Sequence, residues 1–367
     1  MRHWLILAAI WGGVVPIITA AQAVRSATDV SASQKGSQGS AATNACVKTP
    51  SVDCLILNDR LAGDIVPAHD PVLIRDGDTY YSYSTGQRDR MPILARTSRD
   101  LITWRALPGP ISAIPDWALA AVPGAKDIWA PDISRTGDRF RLYYSVSTFG
   151  KQRSVIGLLT NATLDPAKPG YGWRDEGLVI GSKEGDGFNA IDPNFARDRE
   201  GGQWLAFGSY WTGLKIVRLN PKTGKLANPA APPVAIARRA AHDGTAIEAA
   251  FIVNHGGWYW LIASFDQCCR GADSNYHLVI GRSRKITGPY VDRSGHAMLD
   301  GGGTVLVRAD AAGRDRYRGP GHAGFLHDRD GRDYLIYHAY DRDTRGAPTL
   351  RLARLHWEAN GWPVAEY

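Results

Sequence analysis

The stretch HDPVLIRDGDTYYSYSTG at positions 69–86 decides how the whole chain reads. A carboxylate and a proline open it, a short apolar run follows, and Gly-Asp turns the chain into a tyrosine-rich segment. Glycine supplies the positive φ of a tight turn, while aromatic and β-branched residues fill a half-buried pleated surface. The stretch therefore predicts a β-hairpin. The same grammar returns as APDISRTGDRFRLYYSVST (130–148), IDPNFARDREGGQWLAFGSY (191–210), IEAAFIVNHGGWYWLIASF (247–265) and GHAGFLHDRDGRDYLIYHAY (321–340). A third apolar strand follows each copy: ILARTSRDLITW, SVIGLLTNATLD, LKIVRLN, HLVIGRSRKITGPY and LRLARLHWEANGW. Five units of three or four strands, with no convincing amphipathic helix, predict an all-β radial repeat, a five-bladed β-propeller.

In a propeller the innermost strand of each blade lines the central channel. The polar residues heading the five repeats are Asp70, Asp132, Asp192, Glu248 and His322, and they are expected to converge at one channel mouth. Each alone reads as a turn cap. Together, four carboxylates crowded at equivalent positions raise at least one pKa, which marks a working site. Several carboxylates without a Cys/His metal pattern point to glycoside hydrolysis, where one protonated acid serves the leaving oxygen and one ionised carboxylate acts as base or nucleophile. Aromatic side chains near the heads (Trp129, Phe149, Trp211, Phe265) offer stacking faces for sugars, although blade packing is the plainer use of each.

The rest of the chain frames this domain. Arg2, an apolar run from Trp4 to Ile18 and Ala21-Gln22-Ala23 read as a secretory signal peptide over 1–23. Residues 24–45 are rich in Ser, Ala, Gly and Gln and read as a disordered linker, leaving 46–367 for the propeller. The protein is thus expected to be secreted, extracellular or periplasmic, with no segment long enough to span a membrane. Removing Arg2 with the signal lowers the formal charge from +7 to +6, 42 basic against 36 acidic residues. The basic residues are scattered and often stand beside Asp, so no nucleic-acid surface is expected, and a monomer is. Cys46 and Cys54 are near enough in sequence to bridge in an oxidising compartment. Cys268 and Cys269 suit neither a redox nor a zinc motif, which leaves a vicinal disulfide or two packed thiols.

Taken in order from 69 to 325, HDPVLI, IWAPDIS, YYSVSTFG, AIDPNF, FGSYWTGLKI, AIEAAFI, SFDQCCRG, GRSRKITGPYVD, GGGT and GPGHAGF give the chain a resemblance. It resembles glycoside hydrolase family 43, and within it the endo-acting arabinan α-1,5-L-arabinanases. The resemblance implies an inverting propeller enzyme that cleaves internal α-1,5-L-arabinofuranosidic bonds of arabinan, a pectin side chain, and of arabino-oligosaccharides. Exo-acting α-L-arabinofuranosidases and β-xylosidases share the scaffold, and a non-catalytic sugar-binding propeller has no need of both an acid and a base. By resemblance Asp70 is the general base, Glu248 the general acid, and Asp192 the residue that orients the acid and raises its pKa. Inversion sets the two catalytic carboxyls ~6.5–9.5 Å apart. Trp129, Asp132, Phe149, Ser209 and Trp211 are the implied substrate contacts. His322 matches a histidine beside a Ca2+ in the central channel, an unusual partner for an ion that prefers oxygen. Where the family has Glu-Ala-Pro, this chain has Ala250, which relaxes the strand after the acid.

Overall fold

The computed structural model describes residues 57–87, 91–310 and 314–367. The signal peptide, the linker and the Cys46–Cys54 pair lie outside the described residues. Within them, strands β2 to β21 form five consecutive antiparallel sheets, each built from strands adjacent in sequence. Blade 1 contains β2 (Val72–Asp76), β3 (Thr79–Thr85), β4 (Ile93–Ser98) and β5 (Thr103–Leu107); a short β1 (Ala62–Gly63) pairs in parallel with β5 at its outer edge. Blade 2 is β6 (Ile128–Thr136), β7 (Arg139–Val146), β8 (Ser154–Asn161) and β9 (Arg174–Ser182). Blade 3 is β10 (Asn194–Arg197), β11 (Gln203–Phe207), β12 (Leu214–Leu219) and β13 (Val234–Ala237). Blade 4 is β14 (Ile247–His255), β15 (Trp258–Phe265), β16 (His277–Ser283) and β17 (Thr304–Val307). Blade 5 is β18 (Tyr317–His327), β19 (Asp333–Asp341), β20 (Ala347–Trp357) and β21 (Pro363–Glu366). The fold is a five-bladed β-propeller. Helix is confined to short pieces, chiefly α1 (Asp116–Ala121) between blades 1 and 2. Among the described residues, no helix is long and apolar enough to cross a membrane.

The aromatic second strands explain the packing. β7, β15 and β19 are buried along almost their whole length, because each is sandwiched between neighbouring blades. Burying one such large apolar side chain contributes roughly 1.5–3 kcal/mol. The core divides into five hydrophobic clusters, one at each blade interface. The fifth joins the ends of the ring: Leu57, Leu73 and Trp104 pack against Leu326, Leu350 and Leu352. Asn58 seals the seam, its Oδ1 accepting from Leu352 N–H (2.7 Å) and its Nδ2 donating to Tyr337 Oη (2.9 Å). Arg75 and Tyr80 of blade 1 add hydrogen bonds to Asp328 of blade 5.

The repeat heads share one backbone signature. Asp70, Ala130, Asp192, Ala249 and His322 all adopt positive φ, between 40° and 57°. A left-handed non-glycine residue is uncommon, and five at equivalent places mark a built feature. This corrects the expected register. Asp132 lies two residues beyond its blade's head and Glu248 one residue before its own. Alignment by carboxylates misplaced them because the recurring geometry belongs to the backbone kink.

Candidate active site

The kinked heads are tied into a ring. The head N–H of each blade turns toward the blade before it: Ala130 donates to Thr85 Oγ1 (2.8 Å), Asp192 to Ser145 Oγ (3.0 Å) and His322 to Ser264 Oγ (2.9 Å). Asp70 closes the ring by donating to His338 Nδ1 (3.1 Å). Blade 4 breaks the pattern. Ala249 N–H donates to Asp192 Oδ2 (3.2 Å), while Ser209, on the preceding blade, donates its hydroxyl to Glu248 Oε2 (2.7 Å). The one irregular link therefore places Asp192 and Glu248 side by side.

Asp70 is buried among histidines and a hydroxyl donor. His69 Nδ1 lies 2.7 Å and Thr85 Oγ1 2.5 Å from Oδ2, and His322 Nδ1 lies 3.2 Å from Oδ1. Burial pushes its pKa up, but His69 and His322 together outweigh burial and hold the carboxyl well below the usual range. Asp70 is ionised at neutral pH.

Glu248 goes the other way. Burial raises its pKa, the negative charge of Asp70 adds to the rise, and hydrogen bonds from Ser209 and Tyr276 oppose it. Asp192 is also pushed well up, first by burial and then by Glu248. Two neighbouring carboxyls cannot both ionise cheaply, so the pair holds a proton that Asp70 does not. Of the three, Glu248 alone is partly solvent-exposed; Asp70 and Asp192 are buried. Asp70 prolongs the list of His322's attractions: burial lowers that histidine's pKa, but Asp70, Asp192 and Glu248 lift it to about 9.

The structure thus gathers Asp70, Asp192, Glu248 and His322 into one electrostatically connected cluster. Asp132, expected among the substrate contacts, makes a contact between blades. It is buried, and its carboxyl accepts from Phe195 N–H (2.6 Å) on the next blade; Asn194 repeats this one blade on with Ile252 N–H (2.9 Å). Asp132 is a blade-to-blade clamp. Ser209 is likewise buried, and its hydroxyl donates to Glu248. Trp129, Phe149 and Trp211 lie on the head face, since β6 begins there and the loops after β7 and β11 return there. Phe149 is 79% exposed, whereas Trp129 and Trp211 are half-buried. Tyr210 and Trp211 both have positive φ (55° and 43°), a costly backbone that aims the loop.

Sequence reasoning missed five participants: His69, Thr85, Tyr276, His338 and Tyr340. A signal for two of them, Thr85 and His338, was present. A polar residue closes most of the aromatic second strands (Thr85, Ser145, Ser264, His338), and those are the acceptors for the kinked heads. Tyr276 fits because Gly321 has no side chain: a Cβ there would stand 1.9 Å from the Tyr276 ring.

The Ca2+ expectation rests on His322. Among the described residues, the His/Cys/Asp/Glu groups spaced to share a metal are His69/Cys268/Cys269 and His69/Asp70/His338, neither of which includes His322. Its Nδ1 already faces Asp70 Oδ1 (3.2 Å), so the residues fit an ion held by the other imidazole nitrogen and water. The two adjacent cysteines, left open by sequence, form a Cys268–Cys269 disulfide.

An ionised carboxylate and a proton-holding carboxyl in one cluster at a propeller mouth define a glycoside-hydrolysing site. The comparisons agree. The profile for glycosyl hydrolases family 43 matches residues 65–363, and the chain belongs to that family and is a glycoside hydrolase. It is 43% identical to the extracellular exo-α-(1→5)-L-arabinofuranosidase ArbA of Cellvibrio japonicus, covering 82% of this chain and 87% of that one. It is 38% identical to the extracellular endo-α-(1→5)-L-arabinanase 1 of Bacillus subtilis, covering 80% and 86%. The solved exo-1,5-α-L-arabinanase from a bovine ruminal metagenomic library superposes with a TM-score of 0.77 at 41% identity, covering 84% of this chain and 99% of that one.

Proposed function

We propose that this protein hydrolyses α-1,5-linked L-arabinan by inversion, acting on internal bonds. Asp70 accepts a proton from a water, whose oxygen attacks the anomeric carbon. Glu248 gives its proton to the glycosidic oxygen, and the C–O bond to the leaving sugar breaks. Asp192 holds Ala249, and so the backbone of Glu248, while its shared charge keeps the acid protonated. His322 balances the charge of Asp70; a Ca2+ bound there would supply further positive charge in the channel. The observation that carries the reading is the opposed environment of Asp70 and Glu248, one held ionised and the other held ready to give a proton.

Internal cleavage is supported by the rim. Phe149 stands exposed on the head face as a stacking surface for sugars beyond the scissile bond. The exo reading is favoured by the names of the Cellvibrio relative and the ruminal structure. Extracellular action on pectin side chains fits the two relatives named extracellular and the N-terminal leader. Product analysis on debranched arabinan beside arabinoxylan decides. Mixed arabino-oligosaccharides in the first minutes are expected; a single short product from the start establishes the exo reading, and preference for arabinoxylan overturns the substrate.

A further inference from the structure

The Cys268–Cys269 disulfide lies in the loop that leaves β15 on the head face, half-buried at Cys268 and exposed at Cys269. Cys269 N–H donates to Tyr340 Oη (2.7 Å), and the same oxygen lies 2.8 Å from His69 Nε2. His69 Nδ1 reaches Asp70 Oδ2 at 2.7 Å. Each link constrains the next. Because the Cys269 amide is already a donor, the tyrosine hydroxyl is free to give its hydrogen to Nε2. With Nε2 accepting, the His69 ring carries its hydrogen on Nδ1, pointing at Asp70. Stacking on the buried His338 ring, 4.1 Å between centroids, fixes the plane of His69. Cys269 itself holds positive φ (67°), and its Sγ lies 3.8 Å from His69 Nε2. Nothing in the hydrolytic steps uses this bridge, yet a single hydrogen-bonded path joins it to the base.

We infer that the Cys268–Cys269 bridge is a redox-dependent positioning element: closed, it fixes the Cys269 amide and, through Tyr340 and His69, the orientation of Asp70. The inference rests on Asp70 being the general base. Reduction by a small dithiol transfers two electrons and two protons to the pair. The S–S bond breaks, two thiols form, and the reductant closes to its own cyclic disulfide. Without the ring, residue 269 is free to leave the costly left-handed region, and its amide turns away from Tyr340. The tyrosine hydroxyl then loses one of its donors, and the His69 ring, still stacked on His338, loses its fixed partner at Nε2. Asp70 samples positions from which it addresses the attacking water poorly, so the loss falls on turnover and not on substrate affinity.

Steady-state kinetics on debranched arabinan, before and after treatment with a dithiol, test this. Alkylation and mass spectrometry report thiols at Cys268 and Cys269 separately from Cys46 and Cys54. As the pair becomes alkylatable, kcat should fall on the order of tenfold with KM changing less than about twofold, and reoxidation should restore it. The Cys268→Ser/Cys269→Ser protein should show the reduced rate and ignore the dithiol, which keeps the test open should the native bridge resist reduction. Tyr340→Phe should lower kcat similarly and then respond no further to reduction, because the path is already cut. A double-serine protein with unchanged kcat overturns the inference, as does a Tyr340→Phe protein that stays fully sensitive. An oxidised wild type without activity on arabinan overturns the functional assignment instead.

Discussion

Replacing Asp132 by asparagine separates a scaffold carboxyl from the catalytic ones through the pH dependence of stability. Burial lifts the Asp132 pKa to about 7, against the hydrogen bonds from Phe195 N–H and Asn194 that favour its charge. In the unfolded chain the same group titrates near ~3.9. The folded state therefore holds a proton that the unfolded state has lost between those values. Stability is full below about pH 4, falls as pH rises, and levels off above about 7. A gap of about three pH units, at roughly 1.4 kcal/mol each, is about 4 kcal/mol. Asparagine imitates the protonated carboxyl and still offers an oxygen to Phe195 N–H. The variant should match the wild type near pH 4 and exceed it by up to about 4 kcal/mol at pH 8, read from urea unfolding. Asp192 and Glu248 titrate in both proteins and cancel in the difference. A gap between variant and wild type that does not change with pH refutes the reasoning.

Asp192→Asn breaks the coupled pair in which Asp192 and Glu248 share a proton, so the alkaline limb of kcat/KM should move to lower pH; an unmoved limb makes Asp192 scaffold alone. Ser209→Ala removes a hydrogen bond that lowers the Glu248 pKa, and the limb should move up by about one pH unit. Shifts of the same sign in these two variants contradict the electrostatics. Gly321→Ala drives a methyl into the Tyr276 ring and should cost about 1–3 kcal/mol in urea unfolding, with activity reduced by displacement of Tyr276 from Glu248; wild-type stability would show that the ring moves freely.

Much of this architecture was legible because it is local. Tyr80, Tyr81 and Tyr83 announced a buried strand, Gly77 its turn, and the recurrence of that pair announced blades. Asp70, Asp192 and His322 were read correctly as heads because a left-handed kink and a polar side chain coincide there. Where they part, at Ala130 and Ala249, side-chain chemistry alone drew the register to Asp132 and Glu248. The clamp role of Asp132 depends on an amide 63 residues away on another blade, which no local pattern reveals. Tyr340 and His69 are 271 residues apart and meet only because blade 5 closes on blade 1. That seam, made by Asn58 and the leucines around it, is set by the ring as a whole.

Placing an ionised Asp70 and a proton-bearing Glu248 across one glycosidic bond has a stereochemical consequence that no scaffold effect imitates. Proton NMR of debranched arabinan, recorded in the first minutes of hydrolysis, identifies the anomer formed before mutarotation. Reducing ends that emerge first as the β anomer are the predicted result. Newly released ends in the α configuration would mean a covalent intermediate and contradict the assignment of Asp70 as a base acting through water.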